Sequence, residues 1–127
     1  MRLTVISTIL FAVCTLVICT FSLIIVKSTA QEVDLLRTEA IVSIKNGQTE
    51  AALEKIITLE KFWEERSRVL EMLIAHDDVH EIATSISDAR VCLEVEDIDD
   101  FLRTAEQLKA SVGHINSVQN ISFGNLY

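Results

Sequence analysis

The chain has 127 residues, with no proline and only three glycines, and its 19 acidic side chains outnumber 11 basic ones. Because proline and glycine form most tight turns, their scarcity argues against a β-rich fold and favours a few long helices joined by short connections. A surface with this acidic excess repels phosphate, which argues against a nucleic-acid partner. The cysteines predict no disulfide framework, since Cys14 and Cys19 lie in an apolar run and Cys92 has no mate outside that run.

Residues 3–26 form an uncharged, apolar run between Arg2 and Lys27. About 20 apolar residues are enough to cross a bilayer as one helix. A cleaved signal peptide has a shorter apolar core of about 7–15 residues, although residues 28–30 (Ser-Thr-Ala) resemble a cleavage site. We therefore interpret residues 1–27 as a retained signal anchor, with the lipid bilayer as the partner of residues 3–26.

Hydroxyl side chains are scattered through this run. They either bond to carbonyl groups of their own helix or pack against a second membrane helix. Hydrogen bonds between membrane helices contribute only about 1 kcal/mol, which favours bonding within the helix. The residues concerned are Ser7, Thr8, Thr15, Thr20 and Ser22.

The orientation is predicted from the residues that flank the run. Arg2 and the α-amino group lie on one side, and Lys27 and Arg37 lie on the other, so the positive-inside rule is nearly balanced. A two-residue flank has nothing to translocate, which favours a cytoplasmic N-terminus. We expect a single-pass protein of the cell membrane whose remaining residues, 28–127, form one extracytoplasmic domain.

The pattern after the run predicts two long helices. Apolar residues recur at helical spacing from Val33 to Ile44, so the membrane helix is expected to continue up to residues 46–47 (Asn-Gly), which form a left-handed cap. A second helix with a wide apolar stripe is predicted from about Thr49 to Ala75.

Capping signals predict two further helices. Asp78 with Glu81 resembles a capping box at the start of a third helix. Asp97 or Asp99 is placed to cap a fourth helix, which Gly113 is expected to end. The predicted fold class is therefore all-α, with one N-terminal transmembrane helix that continues into a small antiparallel bundle of about four helices.

A weak internal repeat has an offset of 49 residues, as two successive helical hairpins would give. A single pair of units is too weak a signal for a repeat array. The equivalent positions are Leu53 with Leu102, Leu59 with Leu108, and Trp63 with Val112.

The C-terminal tail from His114 to Tyr127 contains no Asp, Glu, Lys or Arg. A tail this apolar seldom stays free in solution. It either packs across its own domain, which we favour, or docks on a partner, for which Phe123, Leu126 and Tyr127 are the candidate contacts.

Phe62 and Trp63 are adjacent on the predicted second helix and cannot both face the same way. Trp63 continues the stripe of Ile56 and is predicted to lie in the core. Phe62 belongs either to a second apolar face or to a contact surface. Both aromatic residues are candidate partner contacts.

Residues 76–80 (His-Asp-Asp-Val-His) contain a candidate metal site, formed by His76, Asp77 and His80. On one helix the two histidines share a face, as zinc ligands do, and Asp77 stands where metalloproteases carry a general base. The capping signal at Asp78 instead predicts a helix break between the histidines, with His76 capping one helix and the aspartates capping the next. We favour the capping interpretation.

Residues 94–100 (Glu-Val-Glu-Asp-Ile-Asp-Asp) form an acidic run at a predicted helix junction. The run lacks the central glycine and the regular oxygen spacing of an EF-hand loop. Helix capping and solvation are therefore the preferred interpretation, and loose calcium binding is the alternative.

The sequence contains no nucleophile–base pair, glycine-rich phosphate loop or basic stripe. We therefore assign no catalytic residue and no cofactor, and expect a protein that is not an enzyme.

Three features carry a resemblance to a known family: Trp63 in the long helix, residues 69–79 (Val-Leu-Glu-Met-Leu-Ile-Ala-His-Asp-Asp-Val) and the ending 121–127 (Ile-Ser-Phe-Gly-Asn-Leu-Tyr). Over nearly its whole length the chain resembles small single-pass proteins of spore-forming, Gram-positive bacteria, catalogued as a domain of unknown function (number four-three-six-three). The resemblance implies a domain anchored on the outer side of the cytoplasmic membrane. It implies no activity, and His80 falls outside the family pattern.

The function predicted first is a membrane-anchored helical interaction or scaffold module of the cell envelope, with an envelope protein as partner. The alternative is an extracytoplasmic sensor or ion-binding domain that uses either the His76–His80 turn or the acidic run 94–100.

Overall fold

The computed structural model describes the backbone of residues 1–124 and the side chains of residues 1–117. Four helices make up this part of the chain, and it contains no strand: α1 (Arg2–Lys45), α2 (Thr49–Leu73), α3 (His76–Glu94) and α4 (Ile98–Gly124). The prediction of an all-α fold, with a long apolar N-terminal helix followed by a helical bundle, is confirmed.

The four helices form a ring in which each helix packs against two neighbours. α1 contacts α2 and α4, and α3 contacts the same two helices. Since each connection is only two or three residues long, successive helices run antiparallel. The core between them is built mainly from aliphatic side chains with two aromatic ones; its most deeply buried members are Ala40, Ala52, Ile56, Leu59, Ile82, Ile86, Phe101 and Leu108.

The antiparallel order gives the bundle two distinct ends. We call the end where α1 enters the bundle, near Val26, the proximal end. The α2–α3 turn and the last turns of α4 lie at this end too. The distal end carries the α1–α2 and α3–α4 turns.

α1 is one unbroken helix of 44 residues, about 66 Å long, with two different environments. Large apolar side chains from Leu3 to Phe21 are 51–83% exposed. Burial begins at Ser22, inside the run that the sequence assigns to the membrane. From there one face, which we call the α1 seam, is buried at alternating spacings of four and three residues: Ser22, Val26, Thr29, Val33, Leu36 and Ala40.

Three hydroxyl groups in the apolar half bond to their own helix, as predicted. Thr8, Thr15 and Thr20 each donate to the carbonyl oxygen four residues earlier, at 2.8–2.9 Å. These hydroxyls are therefore satisfied without a second helix.

The distal turns are two copies of one capping motif. Gly47, with φ 76°, ends α1, and the Gln48 N–H donates to the Ser43 carbonyl oxygen at 2.8 Å. Glu96, with φ 59°, ends α3, and the Asp97 N–H donates to the Cys92 carbonyl oxygen at 2.9 Å. Both are left-handed caps of the Schellman type, and the predicted cap at Gly47 is confirmed.

The two caps are 49 residues apart, which is the offset of the weak repeat in the sequence. Leu59 and Leu108 are both fully buried, and Trp63 and Val112 are both buried one turn further on. The weak repeat therefore reflects two helical hairpins that place equivalent residues at equivalent depths in the core.

The predicted start of the third helix is wrong by three residues, because Ala75 and not Asp78 is the N-cap. α3 begins at His76 after an extended Ile74 and Ala75, and no side chain caps it. The Ala75 carbonyl accepts the N–H groups of Asp78 and Val79, at 3.1 and 3.2 Å. Asp78 is therefore the third residue of the helix. There its carboxylate interacts favourably with the positive end of the helix dipole without acting as the cap.

The predicted stop at Gly113 is also wrong, because α4 continues through this glycine to Gly124. A helical glycine costs about 1 kcal/mol relative to alanine. Burial of Val112 and Ile115 on either side offsets that cost, since each contributes about 1.5–3 kcal/mol. The tail therefore begins as an extension of α4 rather than as a separate segment.

The paired caps predict opposite effects of two substitutions. Gly47→Ala should lower stability by about 1 kcal/mol through backbone strain alone, because a Cβ at Gly47 meets no atom within 4 Å. Glu96→Gly should raise stability by about 0.5 kcal/mol, because glycine adopts this backbone conformation without strain. Thermal unfolding of the full chain in detergent, followed by circular dichroism, measures both changes. A loss of stability in Glu96→Gly would contradict the strain at that cap.

Candidate functional site

His76 and His80 lie on the same face at the start of α3. Their rings stack with centroids 6.4 Å apart and an interplanar angle of 11°. The Nδ1 atom of His76 lies 3.5 Å from a carboxylate oxygen of Glu71 near the end of α2. Both histidines are exposed at the proximal end. The predicted helix break between them is absent, because α3 already begins at His76.

The shared face does not make a complete metal site. Zinc sites in proteins use three or four protein ligands. Within the part of the chain that the structure describes, no three His, Cys, Asp or Glu side chains converge on one point. Asp77 lies exposed in the first turn of α3, where it favours the positive end of the helix dipole.

Three of the five carboxylates of the acidic run have separate structural partners. Asp97 caps α4, since its carboxylate accepts the Asp100 N–H at 3.2 Å. Asp100 pairs with Arg103 one turn along α4. Glu94 lies 3.4 Å from Arg90 on α3. The predicted cap at Asp97 is confirmed, and the run is dispersed over two helix ends.

The two adjacent aromatic residues of α2 have different roles. Trp63 is only 4% exposed, and its indole N–H donates to the Val79 carbonyl oxygen at 3.3 Å, which ties α2 to α3. It is a core residue, so its burial removes it from the candidate partner contacts. Phe62 is half-buried, with the guanidinium carbon of Arg66 5.3 Å from its ring centroid.

The tail candidates are only partly within the described chain. Phe123 lies in the last turn of α4, and its side chain is outside the described residues. Leu126 and Tyr127 lie wholly outside them.

An apolar strip continues from Phe62 along the outward side of α2 towards the proximal end. Val69 is 40% exposed and Met72 is 86% exposed, at the last turn of the helix. At 100° per residue, Val69 lies about 20° and Met72 about 80° around the helix from Phe62, so the three side chains share one sector of about 80°. We call Phe62, Val69 and Met72 the α2 strip. The sequence pattern did not separate it from the core stripe, since the apolar face of α2 is wide.

A void of about 10 Å³ lies between all four helices at the proximal end. α1 contributes Val26, Thr29 and Ala30 to its wall, and α4 contributes Val112 and Ile115. The Thr29 hydroxyl is buried there without a hydrogen-bond partner. This packing level fixes which parts of α1 and α4 lie side by side.

Ion pairs link neighbouring helices on the bundle surface. Arg90 on α3 reaches Glu60 on α2 at 2.7 Å, and Lys55 on α2 reaches Glu39 on α1 at 2.9 Å. The hydrogen bond and the charge of Glu39 raise the pKa of Lys55. Exposed pairs of this kind contribute little to stability, and they are too far apart in sequence to be predicted from spacing.

Cys92 is buried where α3 meets α4, with its Sγ atom 3.8 Å from a carboxylate oxygen of Asp100. Burial raises the pKa of the thiol, and the charges of Asp100 and Asp97 raise it further, against an opposing hydrogen bond from Thr104. The thiolate is the reactive form, so a raised pKa and burial together predict a slowly reacting thiol.

These features define an acidic four-helix bundle on a long helix whose first half is bare and apolar. Among the described residues, α1 is the helix long and apolar enough to cross a membrane. The chain belongs to the family Domain of unknown function (DUF4363), whose family model matches residues 20–126. The matched range starts two residues before Ser22, where burial in the bundle begins. No curated protein and no solved structure matches the chain.

The environment of Cys92 predicts slow alkylation. In a chain with Cys14→Ser and Cys19→Ser, Cys92 should react with a maleimide at least about tenfold more slowly at pH 7 than a cysteine placed at exposed Val91 in a Cys92→Ala background. Because the thiol pKa is raised, the Cys92 rate should climb only at pH above the usual range for a thiol. Mass spectrometry of the folded chain measures both rates, and equal rates at pH 7 would contradict a shielded thiol.

Proposed function

We propose that this protein is a membrane-anchored interaction module of the cell envelope, with one span and an extracytoplasmic bundle. The observation that carries the proposal is α1, a single helix that is bare and apolar over its first half and is a core helix of the bundle over its second half. A helix of this kind joins the bilayer to the bundle with no linker between them.

The exposure of α1 supports a lipid partner for residues 3–21, most of the predicted span 3–26, whose last part is buried in the bundle from Ser22 onward. The most apolar window of α1 has a mean hydropathy of 2.9 and is only 6% buried, unlike the core helix of a soluble protein. Leu3 to Phe21 spans about 28 Å as a helix, close to the ~30 Å hydrocarbon thickness of a bilayer. Lys27 is exposed one turn above the first buried residues, where its ammonium group reaches the headgroups.

The continuous helix α1 supports a role in which the bundle presents a binding surface at a fixed distance from the bilayer. Because α1 is helical from the apolar half to its cap at Gly47, the bundle is held with its proximal end next to the bilayer. The α2 strip ends at Met72 on that end. A second envelope protein that approaches close to the membrane would therefore meet the strip.

The alternative, an ion sensor at His76–His80 or at residues 94–100, has weaker support. His76 is paired with Glu71 rather than with a converging ligand set. Asp97 and Asp100 are engaged in a cap and an ion pair.

The proposed topology predicts the labelling of a cysteine at Gln48. This residue is exposed in the α1–α2 turn at the distal end, and its side chain makes no capping bond. In a chain with all native cysteines replaced, Gln48→Cys should react with a membrane-impermeant maleimide in intact cells, while the chain stays in the membrane pellet after alkaline carbonate. Labelling only after cell lysis would reverse the orientation. Release by carbonate would contradict the anchor.

The α2 strip predicts a loss of partner binding in a double variant. Val69→Ser with Met72→Ser removes exposed apolar groups and should lower the yield of a cross-linked partner at least about tenfold, the effect of losing ~1.4 kcal/mol of binding free energy. The matched control is Val42→Ser with Val95→Ser, which removes similarly exposed valines elsewhere on the bundle. Cross-linking in cells followed by affinity capture measures the yield. An equal fall in both variants would contradict a specific role of the strip.

A further inference from the structure

The end of α4 has an unusual composition for the surface of an acidic bundle. Lys109 is the last charged side chain, and residues 110–127 contain no Asp, Glu, Lys or Arg. α4 nevertheless remains helical through Gly124. Eleven residues of helix, 114–124, therefore extend towards the proximal end without a charged side chain, apart from a titratable His114.

The packing around the proximal void shows which part of α1 lies beside the end of α4. There Val112 and Ile115 of α4 lie level with Val26 and Ala30 of α1. The two helices are antiparallel and rise equally per residue, so each step forward along α4 matches one step back along α1. Residues 116–124 add about 14 Å and bring the helix end level with the part of α1 just below Cys19.

That part of α1 belongs to the proposed membrane span. If the ~30 Å hydrocarbon layer begins at Leu3, its outer edge lies near Ser22. The end of α4 is therefore placed across the headgroup zone and at the outer edge of the hydrocarbon. Uncharged amide and hydroxyl side chains mixed with apolar ones suit this zone; the segment contains Asn116, Ser117, Gln119, Asn120 and Ser122 among Ile115, Val118, Ile121 and Phe123.

The α1 seam continues downward on the side where α4 packs. Ser22 is buried and Cys19 is half-buried, whereas Ile18 and Phe21 on the other sides of the same turns are more than 60% exposed. Small side chains let two helices approach closely in a membrane. Ser22 and Cys19 therefore form a face of small side chains on α1 just below the bundle, at the level that the end of α4 reaches.

We propose that the end of α4, residues 114–124, is a second membrane contact that enters the outer interface of the bilayer and packs along the α1 seam. This inference rests on the proposed span of α1. The backbone N–H groups at this end of α4 are satisfied within the helix, whereas the carbonyl groups of its last turn have no partner there and need water or headgroups. The helix end therefore fits the outer interface and not the centre of the hydrocarbon. The bundle is then held by two antiparallel helices at the membrane surface, and α1 crosses alone below them.

Depth-dependent quenching tests the lipid contact. The chain, with native cysteines replaced, carries a bimane label at Ile121→Cys and is reconstituted in phosphatidylcholine vesicles that contain lipid with a nitroxide on acyl carbon 5. Strong quenching is expected at position 121. The control is the same label at Gln107→Cys, which is exposed two turns above the uncharged segment on the same helix and should be quenched little. Equal, weak quenching at both positions would overturn the proposal.

Disulfide formation tests whether the end of α4 packs against the α1 seam. With Cys14→Ser and Cys92→Ala, native Cys19 is paired in turn with cysteine at Asn120, Ile121, Ser122 and Phe123, which together cover a full helical turn. Copper-phenanthroline oxidation should link one or two of the four within one chain, because a disulfide requires Cα atoms within about 7 Å. A Cys19–Cys19 link between two chains in all four variants would show that a second copy of the chain covers the α1 seam at Cys19. The absence of any link would show that the end of α4 does not cover the seam there. Either result contradicts the proposed packing of α4 along the α1 seam.

Vesicle flotation separates the two proposals. A chain that floats with the vesicles but shows no quenching at position 121 retains its α1 anchor, and only this inference fails. A chain that does not float contradicts the anchor itself, and with it the proposed function.

Discussion

The packing of the α1 seam against α2 and α4 is the contact on which the rest of the structure depends. Val26, Val33 and Ala40 lie on this face, each almost fully buried, and they bring the bundle onto the same helix that carries the bare apolar half. Because α2, α3 and α4 contact one another only around a ring, removal of α1 would leave an open trough. The second half of α1, from Ser22 onward, is therefore part of the bundle itself and not a tether attached to it.

The long-range architecture could be predicted from the sequence because it depends on strong periodic signals. The seam has a regular three–four spacing, and Gly47 and Asp97 are residue types that end and begin helices for local backbone reasons. The offset of 49 residues reflected a real equivalence of depth between Leu59 and Leu108. The helical spacing and the capping signals depend on neighbours within a few residues, so contacts between helices do not change them.

The details that could not be predicted depend on contacts between helices. Asp78 resembles a cap, but α3 starts earlier at His76, where the Ala75 carbonyl closes the first turn and Val79 reaches the Trp63 indole. Gly113 resembles a stop, but Ile115 has a buried position that draws the helix onward. The candidate site changed for the same reason: the shared face of the two histidines followed from that earlier start, and the α2 strip could be separated from the core stripe only once α3 was in place.

The unbroken course of α1 has a mechanical consequence. A helix without proline or a flexible joint resists twisting, so a rotation of the bundle about the axis of α1 is transmitted along this helix to Arg2 at its other end. Insertion of a single residue between Phe21 and Ser22 would rotate the bundle by about 100° relative to the exposed apolar side chains of residues 3–21. The angular phase between the two halves of α1 is thus a built-in property of this protein: the direction in which the bundle faces is fixed relative to the apolar half of the same helix.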